Sequence, residues 1–349
     1  MTPREAVITL LSGSDLSASD MRSVVNAVMQ GDVPDAVIAA LLVLLRQKGE
    51  TIEEIYGAVQ AVMENVDRVE LDPQAIDTAG TGGDAAGTFN ISTMAAIVAC
   101  SAGAKVAKHG NRSVSSKCGS ADVLETIGLK IELPKEKTIE LFHKTGFAFL
   151  YAPLYHKAMK RVASVRRDLG VRTIFNMLGP LVNPAGILRQ VIGVYDRELT
   201  AMFAQVLRQQ GAEHCMVVHG GTKEGLALDE PSVCGPTFVS ELKNGTISNY
   251  TVHPEDFGFK RRSLEELQGG TVQENAQLIW QILNGTASEA KRDAVIYAGG
   301  FAIYVSGVVD SLERGIAQAR FELESGRAKQ TLERILAAHR EVASALSPA

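Results

Sequence analysis

Asp77-Thr78-Ala79-Gly80-Thr81-Gly82-Gly83-Asp84 is the stretch on which the reading of this chain turns. A short apolar start precedes it, and a helical run opens behind it near Ser92. Glycines at three of four positions admit positive φ angles and let backbone N–H groups converge. Such nests bind phosphate oxygens. The helix from Ser92 adds free N–H groups and the positive end of its dipole, with Asn90, Ser92 and Thr93 as side-chain donors at that end. Taken alone, the stretch reads equally well as a glycine-rich turn followed by a serine N-cap. It is neither a Walker A loop nor a Gly-x-Gly-x-x-Gly fingerprint.

Outward from it, apolar runs and helical runs alternate. Strands are expected at 104–107, 147–151, 191–195 and 215–219, and helices at 92–101, 121–127, 136–144, 155–167, 198–210 and 272–283. Gly103, Gly128 and Gly211 stand just past helices, where left-handed caps belong. This is the pattern of an α/β domain with a mostly parallel sheet, whose ligands gather at the carboxyl ends of the strands. Before Val69 the chain reads as helices only. Val37, Ile38, Leu41, Leu42 and Leu45 keep helical spacing, Gly49 stops that helix, and Thr51 with Glu54 forms a capping box ahead of Ile55, Val59 and Val62. The expected organisation is therefore a helical domain over 1–70 and an α/β domain over 71–349. A segment near 172–186, broken at Gly179-Pro180 and Asn183-Pro184, crosses back to the helices. So few helices bury little alone and need the rest of the chain, or a second copy of themselves, to cover them.

The 349 residues are 46% hydrophobic and 21% charged, which is globular composition, and the net charge of −5 offers no general basic face to nucleic acid or an anionic membrane. Apolar runs such as 36–45 are too short to span a bilayer, and the first residues read as no signal peptide. Cys100, Cys118, Cys215 and Cys234 are scattered without metal spacing, as in a reduced, cytoplasmic protein.

Two further stretches carry chemistry. Lys108-His109-Gly110-Asn111-Arg112-Ser113-Val114-Ser115-Ser116-Lys117 packs cations, hydroxyls, a histidine and an amide into an acidic chain. That makes a polyanion cradle, or in isolation a solvated basic loop. Asp229-Glu230 is a pair of adjacent carboxylates able to share Mg²⁺ with substrate phosphates, or in isolation a solvated acidic turn. No Ser-His-Asp or Cys-His set suggests a covalent nucleophile.

Taken together, GTGGD, Asn90-Ile91-Ser92-Thr93, KHGNRSVSS and Gly119-Ser120-Ala121-Asp122 resemble the anthranilate phosphoribosyltransferases. The resemblance runs through nearly the whole chain, including 45–51, 165–176, 193–196 and 253–258. It implies a small N-terminal α-helical domain, a large α/β domain of the nucleoside phosphorylase and phosphoribosyltransferase type, and a homodimer. It also implies Mg²⁺-dependent transfer from phosphoribosyl pyrophosphate (PRPP) to anthranilate, a step of tryptophan synthesis. Carried over by position, Gly80, Gly83, Asp84, Thr88, Asn90, Ile91, Ser92, Thr93, the run from Lys108 to Ser116, and Ser120 bind PRPP. Gly80, Asn111 and Arg166 meet anthranilate, and Ser92, Asp229 and Glu230 hold the metal. Such a transfer needs no obligatory catalytic side chain: Lys108 can stabilise the leaving group, and water, the substrate's own carboxylate or His109 can accept the proton. By pattern alone Arg166 reads as a surface arginine or a partner for Asp168. A pyrimidine nucleoside phosphorylase of the same fold is the competing reading, and the 111–116 run argues against it.

The sequence departs from the family at two places. From His219-Gly220 to Asp229-Glu230 the chain is longer than the family's short connection, which makes Glu224 an alternative ligand. Cys118 stands where the family often carries serine, with little effect expected.

Overall fold

The computed structural model describes residues 1–113, 118–223 and 225–346. Four helices open the chain: α1 (Pro3–Leu11), α2 (Ala18–Gln30), α3 (Asp35–Lys48) and α4 (Ile52–Glu64). The start of α4 is fixed as its sequence dictates. Thr51 Oγ1 accepts from the Glu54 N–H at 3.3 Å, and the Glu54 carboxylate accepts from the Thr51 N–H at 2.8 Å. That buried carboxylate also accepts from the Leu16 N–H and from Lys48, both at 3.0 Å, so one acid joins three segments of the bundle.

The α/β domain follows in the order β1 (Ile76–Gly80), α5 (Ile91–Ser101), β2 (Val106–Gly110), α6 (Ser120–Thr126), α7 (Lys135–Thr145), β3 (Phe147–Tyr151), α8 (Ala152–Tyr155), α9 (Lys160–Leu169), α10 (Phe175–Leu178), β4 (Arg189–Gly193), α11 (Glu198–Gln209), β5 (His214–Gly221), β6 (Ala227–Leu228), β7 (Thr237–Lys243) and β8 (Thr246–Val252). Four helices close it: α12 (Val272–Leu283), α13 (Glu289–Ser306), α14 (Leu312–Glu324) and α15 (Arg327–Leu346). The sheet runs β3-β2-β1-β4-β5-β7-β8. Its first five strands are parallel; β7 and β8 continue it antiparallel.

Both faces of the sheet are covered, as a parallel sheet requires. On β4 and β5, Val191, Met216 and Val218 point into a core shared with α5 and α13. Their neighbours Ile192, Cys215 and Val217 point into a second core with α11 and the N-terminal bundle. Val162 and Val165 of α9, and Ile174, Phe175, Met177, Leu178, Leu181 and Val182 beyond it, join that second core. Helix α5 is apolar all round because it is buried all round, which fixes its N-terminus at the end of the sheet. No described helix is long and apolar enough to cross a membrane.

Some expected elements shift. The strand expected at 104–107 lies at Val106–Gly110, so Lys108 and His109 belong to the strand and not to a loop after it. The helix expected at 155–167 is split: α8 ends at Tyr155, a 3₁₀ turn spans Lys157–Met159, and α9 begins at Lys160. Gly103, Gly128 and Gly211 all take positive φ, and the four cysteines are buried.

Candidate active site

Strands β1 and β2 are neighbours and parallel, so the glycine loop and the basic stretch emerge at the same edge of the sheet. The loop is exposed, with φ of +69° at Gly82 and +78° at Gly83 and a left-handed non-glycine at Ala85, +58°. A side chain at Gly80 would strike the Asp229 carboxylate.

Helix α5 points its first turn at this loop. Thr78 Oγ1 donates to the Ser92 carbonyl at 2.9 Å, and Thr93 Oγ1, buried, has no partner among the described residues. Asn90 ties the two phosphate stretches together: its Nδ2 donates to the Cys118 carbonyl at 3.2 Å, and its Oδ1 accepts from the Cys118 thiol at 3.5 Å. Thr88 forms an isolated bridge with Gln268.

Asp229 and Glu230 arrive from the other side. After His219 the chain pairs back on itself, with Gly220 opposite Leu228 and Gly221 opposite Ala227, and so brings the acidic pair to the loop. Asp229 Oδ2 accepts from the Gly82 N–H at 2.6 Å, and Glu230 Oε1 from the Ser92 N–H at 3.0 Å. The Asp229 N–H donates to Asp84 Oδ2 at 3.3 Å, which brings a third carboxylate to the place.

These acids are costly as charges. Burial, and then Asp84 and Glu230, push Asp229 well above the usual carboxylate range. Burial pushes Glu230 to about 7 against the pull of Lys108 and the Ser92 N–H. Among the described residues no three His, Cys, Asp or Glu side chains form a ready-made metal cage. A cation such as Mg²⁺, which keeps waters and shares substrate phosphates, needs only one or two carboxylates. Mutually repelling acids beside a phosphate nest fit that requirement. Glu224 lies outside the described residues, as do Val114, Ser115, Ser116 and Lys117.

Lys108 is fully buried. Its ammonium donates to the Thr78 carbonyl, beneath the start of the loop. Burial lowers its pKa, while Asp77 and Glu230 favour its charge. Asp77 is pushed up to about 6 by burial, against Lys108, Asn183 and the His109 N–H. Asn183 Nδ2 donates to Asp77 Oδ2 at 2.8 Å and to the Ala107 carbonyl at 2.9 Å.

His109 Nδ1 meets the Gly179 carbonyl at 3.3 Å and must carry the hydrogen there, which leaves Nε2 buried and unpartnered among the described residues. Burial, His156 and Lys108 push the ring down to about 3. His156, its centroid 5.1 Å away, likewise has a buried Nε2 without a partner. On α9, Arg166 is half-buried and makes no ion pair among the described residues.

Arg112 lies elsewhere. Asp122 at 3.2 Å and Glu125 at 2.8 Å hold its guanidinium away from the glycine loop. Asp122 also accepts from the N–H groups of Ser113 and Gly119, at 3.0 and 2.9 Å. Asn111 and Ser120 sit together, the serine hydroxyl donating to the Asn111 carbonyl at 3.4 Å. Sequence reasoning missed Asp77, Asn183 and Arg172. An acid opening a strand that runs into a glycine loop, and an Asn-Pro break on the returning segment, were the available signals for the first two.

Comparison with known proteins decides the family. Residues 72–329 match the family described as glycosyl transferase family, a/b domain, and residues 4–66 the one described as glycosyl transferase family, helical bundle domain. The anthranilate phosphoribosyltransferase of Chloroherpeton thalassium is 57% identical over 98% of this chain and 99% of its own length. The chain belongs to the anthranilate phosphoribosyltransferase family. That of Pelodictyon phaeoclathratiforme is 53% identical over 98% of this chain and 97% of its own. The Thermus thermophilus family member superposes with a TM-score of 0.88 at 43% identity, covering 96% of this chain and 99% of that one. The Saccharomyces cerevisiae enzyme in complex with PRPP and Mg superposes with a TM-score of 0.87 at 27% identity, covering 97% and 98%.

Proposed function

We propose that this chain transfers the 5-phosphoribosyl group of PRPP to the amine of anthranilate, giving N-(5-phosphoribosyl)anthranilate and pyrophosphate. The observation that carries this reading is the convergence of an exposed positive-φ loop, the first turn of α5 and three carboxylates at the carboxyl end of β1.

Anthranilate's amine is neutral at pH 7 and already nucleophilic, so the difficult event is cleavage of the C1–O bond to pyrophosphate. Asp229, Glu230 and Ser92 would hold Mg²⁺, which would supply neutralisation of the charge developing on the leaving group. The N–H groups of the Gly80–Asp84 loop and of Asn90–Thr93 bind the phosphates. Lys108 braces the loop from below and adds positive potential. Arg112, once released by Glu125, joins Asn111, Ser113 and Ser120 around the donor, with Val114, Ser115 and Ser116 on the same stretch. Arg166 grips the anthranilate carboxylate, beside Gly80 and Asn111. His109, neutral with a bare Nε2, is a hydrogen-bond acceptor for the amine and a weak base. Alignment of the two substrates contributes much of the rest, about 7–11 kcal/mol at most.

Two wider assignments accompany this. Residues 1–70 and the returning segment near 172–186 form one helical unit, which packs on β4, β5 and α11 through a common core. A homodimer forms through that unit, where Ile8 and Leu11 of α1 and Val43 of α3 are exposed. Four buried cysteines with no disulfide between them support a cytoplasmic setting.

The test is loss of anthranilate fluorescence with PRPP and Mg²⁺, run beside an EDTA control. Metal-dependent loss is expected. No loss, with PRPP still binding by calorimetry, would leave the donor site standing and remove anthranilate as the acceptor.

A further inference from the structure

We infer that Arg172 is the positioning residue of the phosphate loop, holding the Gly83–Asp84 peptide in its phosphate-binding orientation. This rests on the reading of that loop as the PRPP site.

The Arg172 guanidinium donates to the Gly83 carbonyl. Its Cζ also lies 4.2 Å from the centroid of the Tyr195 ring, a stacked arrangement suited to a planar cation. Tyr195 in turn donates its backbone N–H to Thr81 Oγ1 at 3.3 Å, and the Thr81 N–H donates to the Gly193 carbonyl at 2.9 Å. One arginine–tyrosine pair therefore grips both sides of the glycine turn, Thr81 through Tyr195 and Gly83 through Arg172.

The grip matters because of what a peptide plane is. In a trans peptide the carbonyl and the following N–H point in opposite directions. Glycines of positive φ flip readily, and a flipped Gly83–Asp84 unit would present its carbonyl oxygen to a phosphate in place of an N–H. A cation fixed on the Gly83 carbonyl settles the orientation before substrate arrives. Any side chain at position 83 would collide with that guanidinium. Arg172 is carried by the segment that continues from α9 into the buried Thr173, Ile174 and Phe175, so its backbone is anchored in the second core.

The experiment is calorimetric titration of PRPP with Mg²⁺ into the full chain and its Arg172→Gln and Arg172→Lys variants, alongside steady-state kinetics. For Arg172→Gln, PRPP Kd and KM rise about tenfold or more, the loss expected for a hydrogen bond to a charged group. Anthranilate KM and kcat at saturating PRPP hold. Arg172→Lys, which keeps charge without the stacking plane, recovers part of the affinity. Unchanged PRPP affinity in a folded Arg172→Gln protein, or a rise confined to anthranilate KM, overturns the inference. If Arg172→Gln shows no cooperative melt, Tyr195→Leu decides: weaker PRPP binding supports the clasp and unaltered binding rejects it. Failure of the parent chain to bind PRPP would instead reject the donor-site reading itself.

Discussion

Glu230 and Glu241 are the same residue type at opposite ends of one sheet, and their surroundings drive them in opposite directions. Glu230, at the carboxyl ends of the parallel strands, is buried near Asp84, and burial lifts it to about 7 despite Lys108. Glu241 sits at the amino end of β5, opposite Met216. Burial would raise it too, but His214 Nε2 at 2.9 Å, Tyr250 Oη at 2.7 Å and Tyr304 Oη at 2.8 Å engage both its oxygens and hold it at about 2. Lys243 completes the cluster by donating to Tyr304 Oη at 3.0 Å. One end of the sheet stores unfavourable charge and the other dissipates it. A buried acid left under-compensated is waiting for something to bind, whereas one whose two oxygens both accept from ordered donors is a fastener.

The sharpest way to break this comparison is to neutralise each acid. Glu230→Gln is expected to lower kcat/KM for PRPP by about a hundredfold, the scale of removing one charge-stabilising group from an active site, while thermal unfolding of the ligand-free protein stays level or rises because a repulsion has gone. Rates at saturating Mg²⁺ beside melting curves check both halves. A large fall in melting temperature would mean that Glu230 is a fastener after all.

Glu241→Ala should do the reverse, costing about 2 kcal/mol of stability through lost charged hydrogen bonds and leaving turnover of the folded protein unchanged. Its pH signature follows from linkage. The folded value of about 2 lies below the ordinary 4.5, so the stabilisation is fully present above pH 4.5 and is lost as pH falls from there through about 2. Denaturant unfolding of parent and variant across that range should converge towards the acid end. Parallel curves would show that Glu241 stabilises by packing and not by charge.

The contrast also explains what the sequence could reveal. The glycine-rich and basic stretches were legible because glycine spacing and local charge are short-range signals, and the α/β alternation was legible because several strands carry compact apolar runs. Strand β1 does not announce itself, since it buries Asp77 and Thr78 in place of an apolar run. The hairpin of β7 and β8 escapes the sequence reading although Asn244 and Gly245, both of positive φ, are a recognised turn signal; β8 is mostly exposed and polar and shows no buried face. Helix α13 has no apolar stripe because it is buried nearly throughout. Long-range pairs had no signature at all. Nothing local in Asp229 says that it meets Gly82, and nothing in Arg172 says that it meets Gly83.

The smallest expected effect tests how finely the two ends differ. Cys118 lies at the active end, where its thiol donates to Asn90 Oδ1 at 3.5 Å and Asn90 donates back to the Cys118 carbonyl. A serine hydroxyl donates the same bond over a shorter reach, and burial pushes the Cys118 thiol up. Cys118→Ser should therefore change stability by less than about 0.5 kcal/mol, as for substitutions that disturb no packing or polar network, and leave PRPP KM where it is. The measurement is PRPP KM together with thermal unfolding. A clear rise in KM at unchanged stability would show that the reach of Asn90, and not only the backbone nest, sets the width of the phosphate site, placing position 118 with Glu230 among the residues that answer to the ligand.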